Sequence, residues 1–132
     1  MEEKNQQEVI NQLGMIEHQM RSLQEQLMAV DKGIVELGSL NIGLDDLKGS
    51  SGKEIIAPLG KGIFVKTKLI SEDLIVDIGN KNLIKKDIPK TQELILKQIK
   101  NLETAKKEID KNLDLVSEEA QKVMGDFKEK NN

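Results

Sequence analysis

An α+β chain, built as a long antiparallel two-helix coiled coil with two β-hairpins between the helices, is what this sequence of 132 residues predicts. Three observations carry that reading. Both ends of the chain space their apolar residues alternately by four and three, the repeat that lays one seam along a helix. Between them, residues 54–86 consist of short runs rich in Ile, Val and Leu, separated by Gly-Lys-Gly, Ser-Glu-Asp and Gly-Asn-Lys. That is the pattern of strands joined by tight hairpins. Hydrophobic residues make up 37% of the chain but aromatics only 2%, which suits a narrow helix seam rather than a large globular core.

The first helix is assigned to residues 1–42. Leu13, Met20, Leu27 and Ile34 fill one seam position, and Val9, Ile16, Leu23, Val30 and Leu37 the other, over about 42 Å at 1.5 Å per residue. Gly33, Gly38 and Gly43 weaken its end. Gly38, just past the last seam residue, reads as a stop near residue 40. Residues 45–53 are polar and glycine-rich, a connection into the first strand. The middle segment, 43–88, holds four strands in two hairpins. A sheet that small covers one face at most and has open edges, so it should pair with other chains.

The second helix is assigned to residues 89–132, with Pro89 in its first turn and Asp87 capping the free amides ahead of it. Its seam is Ile95, Ile99, Leu102, Lys106, Ile109, Leu113, Val116, Ala120, Val123 and Phe127, about 48 Å long. Two seams of similar length flanking a hairpin island imply an antiparallel pair. The favoured register sets Val9 against Phe127, Leu13 against Val123, Leu23 against Leu113 and Leu37 against Ile99. A register one heptad shorter leaves Val123 and Phe127 overhanging and brings Leu23 to Lys106. Lys106 alone interrupts the seam. Its stem can lie along Val30 while the ammonium reaches Asp31 or solvent, or it can fix the register as a polar core group does in coiled coils.

The charge balance of −3, with no basic block longer than two residues, offers no field for phosphate backbones, so nucleic acid is not an expected partner. Without cysteine there is no disulfide framework or thiolate metal site, which fits a reducing compartment. No apolar run suits a signal peptide or a membrane-spanning helix of roughly 20 residues, and the expectation is a cytoplasmic protein with no membrane contact.

A search for catalytic chemistry finds nothing that outweighs a plain structural role. His18, the sole histidine, falls on the outer face of the first helix as a solvated residue. The string Gly-Ser-Ser-Gly-Lys-Glu resembles a phosphate loop only in part. Leu47 stands where the first glycine belongs, and Glu54 replaces the magnesium-binding hydroxyl. Asp45 with Asp46, and Glu118 with Glu119, are adjacent carboxylates without a basic or nucleophilic companion. Gly60 and Gly62 flank Lys61 as a hairpin turn would. The reading is no enzyme, no metal and no cofactor.

What is left over is apolar material off the seam toward the free ends: Ile10 and Met15 on the first helix, Leu115 and Met124 on the second. Exposed apolar patches mark binding surfaces, and flexible Met suits varied partners. If the terminal turns fray, Val9, Leu13, Val123 and Phe127 join them in one apolar tip. Scattered surface apolars are common enough to account for the same residues.

The run EIIAPLGKGIFVKTKL followed by DLIVDIGNKNLIKKD resembles the alpha class of archaeal prefoldins. Pro58-Leu59-Gly60 leading into Ile63, Val65 and Lys68, then Val76-Asp77-Ile78-Gly79, is its most specific portion, and the likeness covers nearly the whole chain. The resemblance implies a hexamer of two alpha and four beta subunits, with strands joined into a β-barrel body and six coiled-coil arms hanging from it. Ile56, Leu59, Ile63, Val65, Leu74, Val76 and Ile78 would then be the oligomerisation residues. It implies an ATP-independent chaperone that captures unfolded or nascent proteins at the arm tips and passes them to a group II chaperonin. A filament-forming or spacer protein of the gamma-prefoldin type is the alternative it leaves open.

Overall fold

The computed structural model describes residues 2–130. Its elements are, in order, helix α1 (Glu2–Leu47), strands β1 (Glu54–Gly60), β2 (Ile63–Lys68), β3 (Leu74–Asp77) and β4 (Leu83–Lys86), and helix α2 (Ile88–Lys130). The predicted class and the order helix, hairpin, hairpin, helix both hold. Contacts divide the chain into two compact units. One is made of the described parts of Met1–Ile34 and Asn101–Asn132, the other of Val35–Lys100.

In the first unit the two helices bury the predicted seams. Ile16 and Ile109 are buried, and Val9, Leu13, Met20, Leu23, Leu113, Val123 and Phe127 are half-buried. Lys106 Nζ lies 2.9 Å from Asp31 Oδ1. A β-carbon at Gly33 would sit only 3.1 Å from Leu102 Cδ1, so the missing side chain makes room for a seam leucine. Val9 and Leu13 line one groove with Met124 and Phe127. These neighbours belong to the favoured register, because the shorter one would bring Lys106 to Leu23. Lys106 therefore takes the snorkelling position. Its hydrogen bond to Asp31, and then the Asp31 charge, hold its ammonium above the usual lysine range, with burial opposing weakly.

In the second unit α1 runs to Leu47, past Gly38 and Gly43, which corrects the expected stop near residue 40 and the boundary at 42. Leu44 is buried with Ile88 and Ile95, and Leu37, Leu47, Leu74 and Ile99 pack on this cluster. Burying a leucine is worth about 1.5–3 kcal/mol, more than the roughly 1 kcal/mol an interior glycine forfeits. The left-handed φ of 75° at Gly49 then closes the helix, and a Glu72 carboxylate oxygen accepts the Gly49 amide at 2.7 Å. Helix α2 opens as predicted. Asp87 Oδ1 accepts the Lys90 amide at 2.8 Å, and the Asp87 carbonyl accepts the Thr91 hydroxyl at 2.9 Å. Gln92 Nε2 donates to the Asn41 carbonyl at 3.3 Å and to Asp45 Oδ1 at 2.7 Å. That bond, then the one from Lys48, lowers the Asp45 pKa below the usual carboxylate value.

The hairpins are two separate two-stranded sheets, β1 with β2 and β3 with β4, so each strand keeps one edge unpaired within the chain. Gly60 opposite Ile63 closes the first hairpin over Lys61 and Gly62, both left-handed at φ 50° and 80°. That is the primed turn whose twist matches the strands. Leu59 falls at the register shift between Pro58 and Gly60, as the extra residue of a bulge. The second hairpin turns on Asn80 and Lys81, also left-handed at φ 51° and 63°, with the Asn82 amide donating to the Gly79 carbonyl at 2.9 Å.

Candidate functional site

The free ends of the helices lie in the first unit. There the alternating repeat leaves one off-seam residue on each helix beside the last seam residues. Gln6, Val9, Ile10 and Leu13 of α1, with Met124, Phe127 and Lys128 of α2, line an open groove of about 450 Å³. Val9, Leu13 and Phe127 form its half-buried floor. Ile10 and Met124 stand up from its walls, 62% and 49% exposed. Five of the eight residues predicted for the tip thus come together in one concavity. Met15 lines a neighbouring hollow with Ile10, Asn11, Gly14, His18 and Gln19. Leu115 lines a third, with His18, Gln19, Ser22, Leu23, Asn112 and Val116. Val123 lines none of these three and stays half-buried in the seam.

The chemistry of this groove is that of apolar contact. Apart from Gln6 and the Lys128 ammonium, its lining is aliphatic, thioether and phenyl. Apolar burial is non-directional and grows with area, and a thioether adapts to guests of different shape. His18 is exposed on the outer face of α1, as predicted. Among the described residues no three His, Cys, Asp or Glu side chains gather in a metal-binding arrangement, and no helix is long and apolar enough to cross a membrane.

A second apolar surface lies on the hairpins. The pairing of Ile55 with Thr67 and of Ala57 with Val65 puts those residues and Ile63 on one face of the first sheet. Ile56, Pro58 and Phe64 share the other face with Glu54, Lys66 and Lys68. Ile56, Leu59, Ile63, Val65 and Ile78 are exposed, whereas Leu74 and Val76 are half-buried, Leu74 against the helix core. Ile75, 69% exposed, and Leu83 occupy the opposite face of the second sheet from Leu74 and Val76. Phe64, Ile75 and Leu83 are surface residues that the sequence reading missed. The period-2 alternation would have found Ile75 once Leu74 was placed on the core, but only the tertiary contact of Leu74 sets that phase.

A model of the prefoldin family, described as prefoldin subunit, matches residues 16–132. A prefoldin subunit alpha of Methanobrevibacter smithii is 33% identical over 112 residues, covering 84% of this chain and 77% of that protein. One from Methanococcus vannielii is 31% identical over 122 residues, covering 89% of this chain and 80% of the relative. Among solved structures, a chain of the filamentous PFD from Methanocaldococcus jannaschii superposes with a TM-score of 0.78 at 18% identity, over 87% of this chain and 97% of the other. That last likeness is one of fold.

Proposed function

The chain belongs to the prefoldin family and is similar to its archaeal alpha subunits, and from that premise we propose that it captures unfolded or nascent proteins at the free ends of its coiled coil and delivers them to a group II chaperonin without ATP. Prefoldin subunits are chaperones that assemble with other prefoldin subunits. What this reading adds is the place and manner of capture. The apolar groove of Val9, Ile10, Leu13, Met124 and Phe127 carries it. Each large apolar side chain buried against a client is worth roughly 1.5–3 kcal/mol before ordering costs, so one groove holds a client weakly. Several arms in one assembly act together through high effective concentration. The same arithmetic explains release, since a chaperonin can displace weak contacts one at a time.

The hairpins are assigned to assembly, with two alpha chains and four beta subunits in a closed body. Their exposed apolar faces and unpaired edges favour this. Open edges also suit a filament or spacer of the gamma type, which would grow with concentration instead of stopping at one mass. Replacing Ile10 and Met124 together by Asp tests the capture reading. The variant should assemble to the native mass with a beta subunit yet fail to suppress aggregation of a denatured test protein. Equal protection at equal concentration would move capture elsewhere on the assembly.

A further inference from the structure

We propose that the groove at the free ends continues past Leu13 into a second hollow beside Ala120, and that an unfolded client lies extended through both with an acidic residue at Lys128. This occupant deepens the capture reading and rests on it. Leu13 lines the groove and also the second hollow, of about 340 Å³, so the two adjoin over its side chain. Ile16, Met20 and Ala120 join it there, Ile16 buried and the others half-buried. Ala120 is the smallest residue of the α2 seam, whose other apolar positions hold valine or larger, and it leaves space that a leucine would fill. Both hollows lie on one side of the helix pair. Met124 and Lys128 stand four and eight residues on from Ala120, and Gln6, Ile10, Leu13, Glu17, Met20 and Gln24 are spaced alternately by four and three on α1, which keeps each set on one helix face.

Length and charge identify the occupant. From Gln6 to Gln24 the channel runs about 27 Å at 1.5 Å per residue, the length of about eight residues of extended chain. Alternate side chains of such a segment fall on one face, and an apolar set there meets the floor of Val9, Leu13, Ile16 and Met20. Lys128 is the one charged residue among those described around the first groove. The α2 positions three and four away from it hold Met124, Gly125, Asn131 and Asn132, none of them acidic, so its own helix supplies no carboxylate at pairing distance. Glu8, in the same layer of the favoured register, and Asp126 line neither hollow. Arg21 and Glu17, in the second hollow, pair with each other at 3.0 Å. The channel thus offers positive charge at its outer end and an apolar floor inward, the complement of an apolar segment beside an aspartate or glutamate.

Labelled, amidated peptides of alternating leucine and serine ending in aspartate, about ten and about five residues long, test this by fluorescence anisotropy on the full chain. The longer should bind at least fivefold tighter, and Ala120→Leu, which fills the second hollow, should remove that difference with helical circular dichroism retained. A photoreactive group at Gln24, an exposed residue of the second hollow, should join to the longer peptide and not to the shorter, a readout independent of how Ala120→Leu folds. Lys128→Glu should reverse the preference between peptides ending in aspartate and the same peptides ending in lysine. No adduct from position 24, or an unchanged length difference in folded Ala120→Leu, overturns the path through the second hollow. An unaltered preference in Lys128→Glu overturns the place of the acidic residue. Ile10→Asp combined with Met124→Asp is the control for the capture reading beneath. If that variant binds the longer peptide as the native chain does, capture at the groove fails and this occupant with it. If it abolishes binding while the other tests come out negative, capture at the groove stands and only the extended, acid-bearing occupant fails.

Discussion

Lys106 combines a seam position with an ion pair, and its titration separates the two roles. Its pKa is raised by Asp31. Stability from the pair is therefore fully present below the unfolded lysine value of about 10.4 and is lost as pH rises through the higher folded value. The melting temperature of the native chain should fall toward that of Lys106→Met as pH enters this alkaline range. A constant difference between the two would assign the effect to packing alone. Asp45 works in reverse. Its lowered pKa gives stability that is present above about pH 3.9 and is lost as pH falls through the folded value. Gln92→Leu should narrow that acid-side loss, measured by the same melts. Asp87→Ala removes the cap on Lys90 and should lower unfolding free energy by about 1 kcal/mol in urea titration, with Asp87→Asn near native. Lys106 was legible from seam spacing, and Asp87 from its place just ahead of a first helical turn that holds Pro89. The Gln92 bond to Asp45 was not, because residues 47 apart meet only once the register is fixed.

At the scale of elements, sequence patterns placed all four strands and both helices, and failed at one end. The four-three repeat and the turn triplets are local signals. The end of α1 is decided by Leu44 and Leu47 meeting Ile88, Ile95 and Leu74, partners some 30 to 50 positions away that outweigh two glycines. Hairpin turns obey the local rule closely enough to improve. Lys81 has a left-handed φ of 63° after Asn80, where the favoured pair is Asn-Gly. Lys81→Gly should stabilise the second hairpin by about 0.5–1 kcal/mol, the relief of a left-handed side chain less the entropy glycine loses. Slower amide exchange at Ile78 and Asn82 would register it, whereas faster exchange would mean that Lys81 contributes more than it strains.

For the molecule as a whole, the chain leaves exposed apolar side chains on two separate hairpins, of which Leu74 alone joins the helix core. Short alternating strands and scarce aromatics made that incompleteness legible. Which strand faces would be exposed was not, since Ile75 and Leu74 differ only in which of them meets the helix core. The groove at the free ends was half legible in the same way. Off-seam Ile10 and Met124 could be picked out by spacing, but their meeting over Val9, Leu13 and Phe127 depends on the helix register. The proposed function gives two apolar surfaces separate tasks, assembly at the hairpins and capture at the free ends. Photo-crosslinking groups placed singly at Ile10, Met124, Phe64 and Ile75, in the complex assembled with beta subunits and offered a denatured protein, test that division most directly. Client adducts should form from positions 10 and 124 and subunit adducts from 64 and 75, whereas client adducts from the hairpin positions with none from the free ends would contradict it.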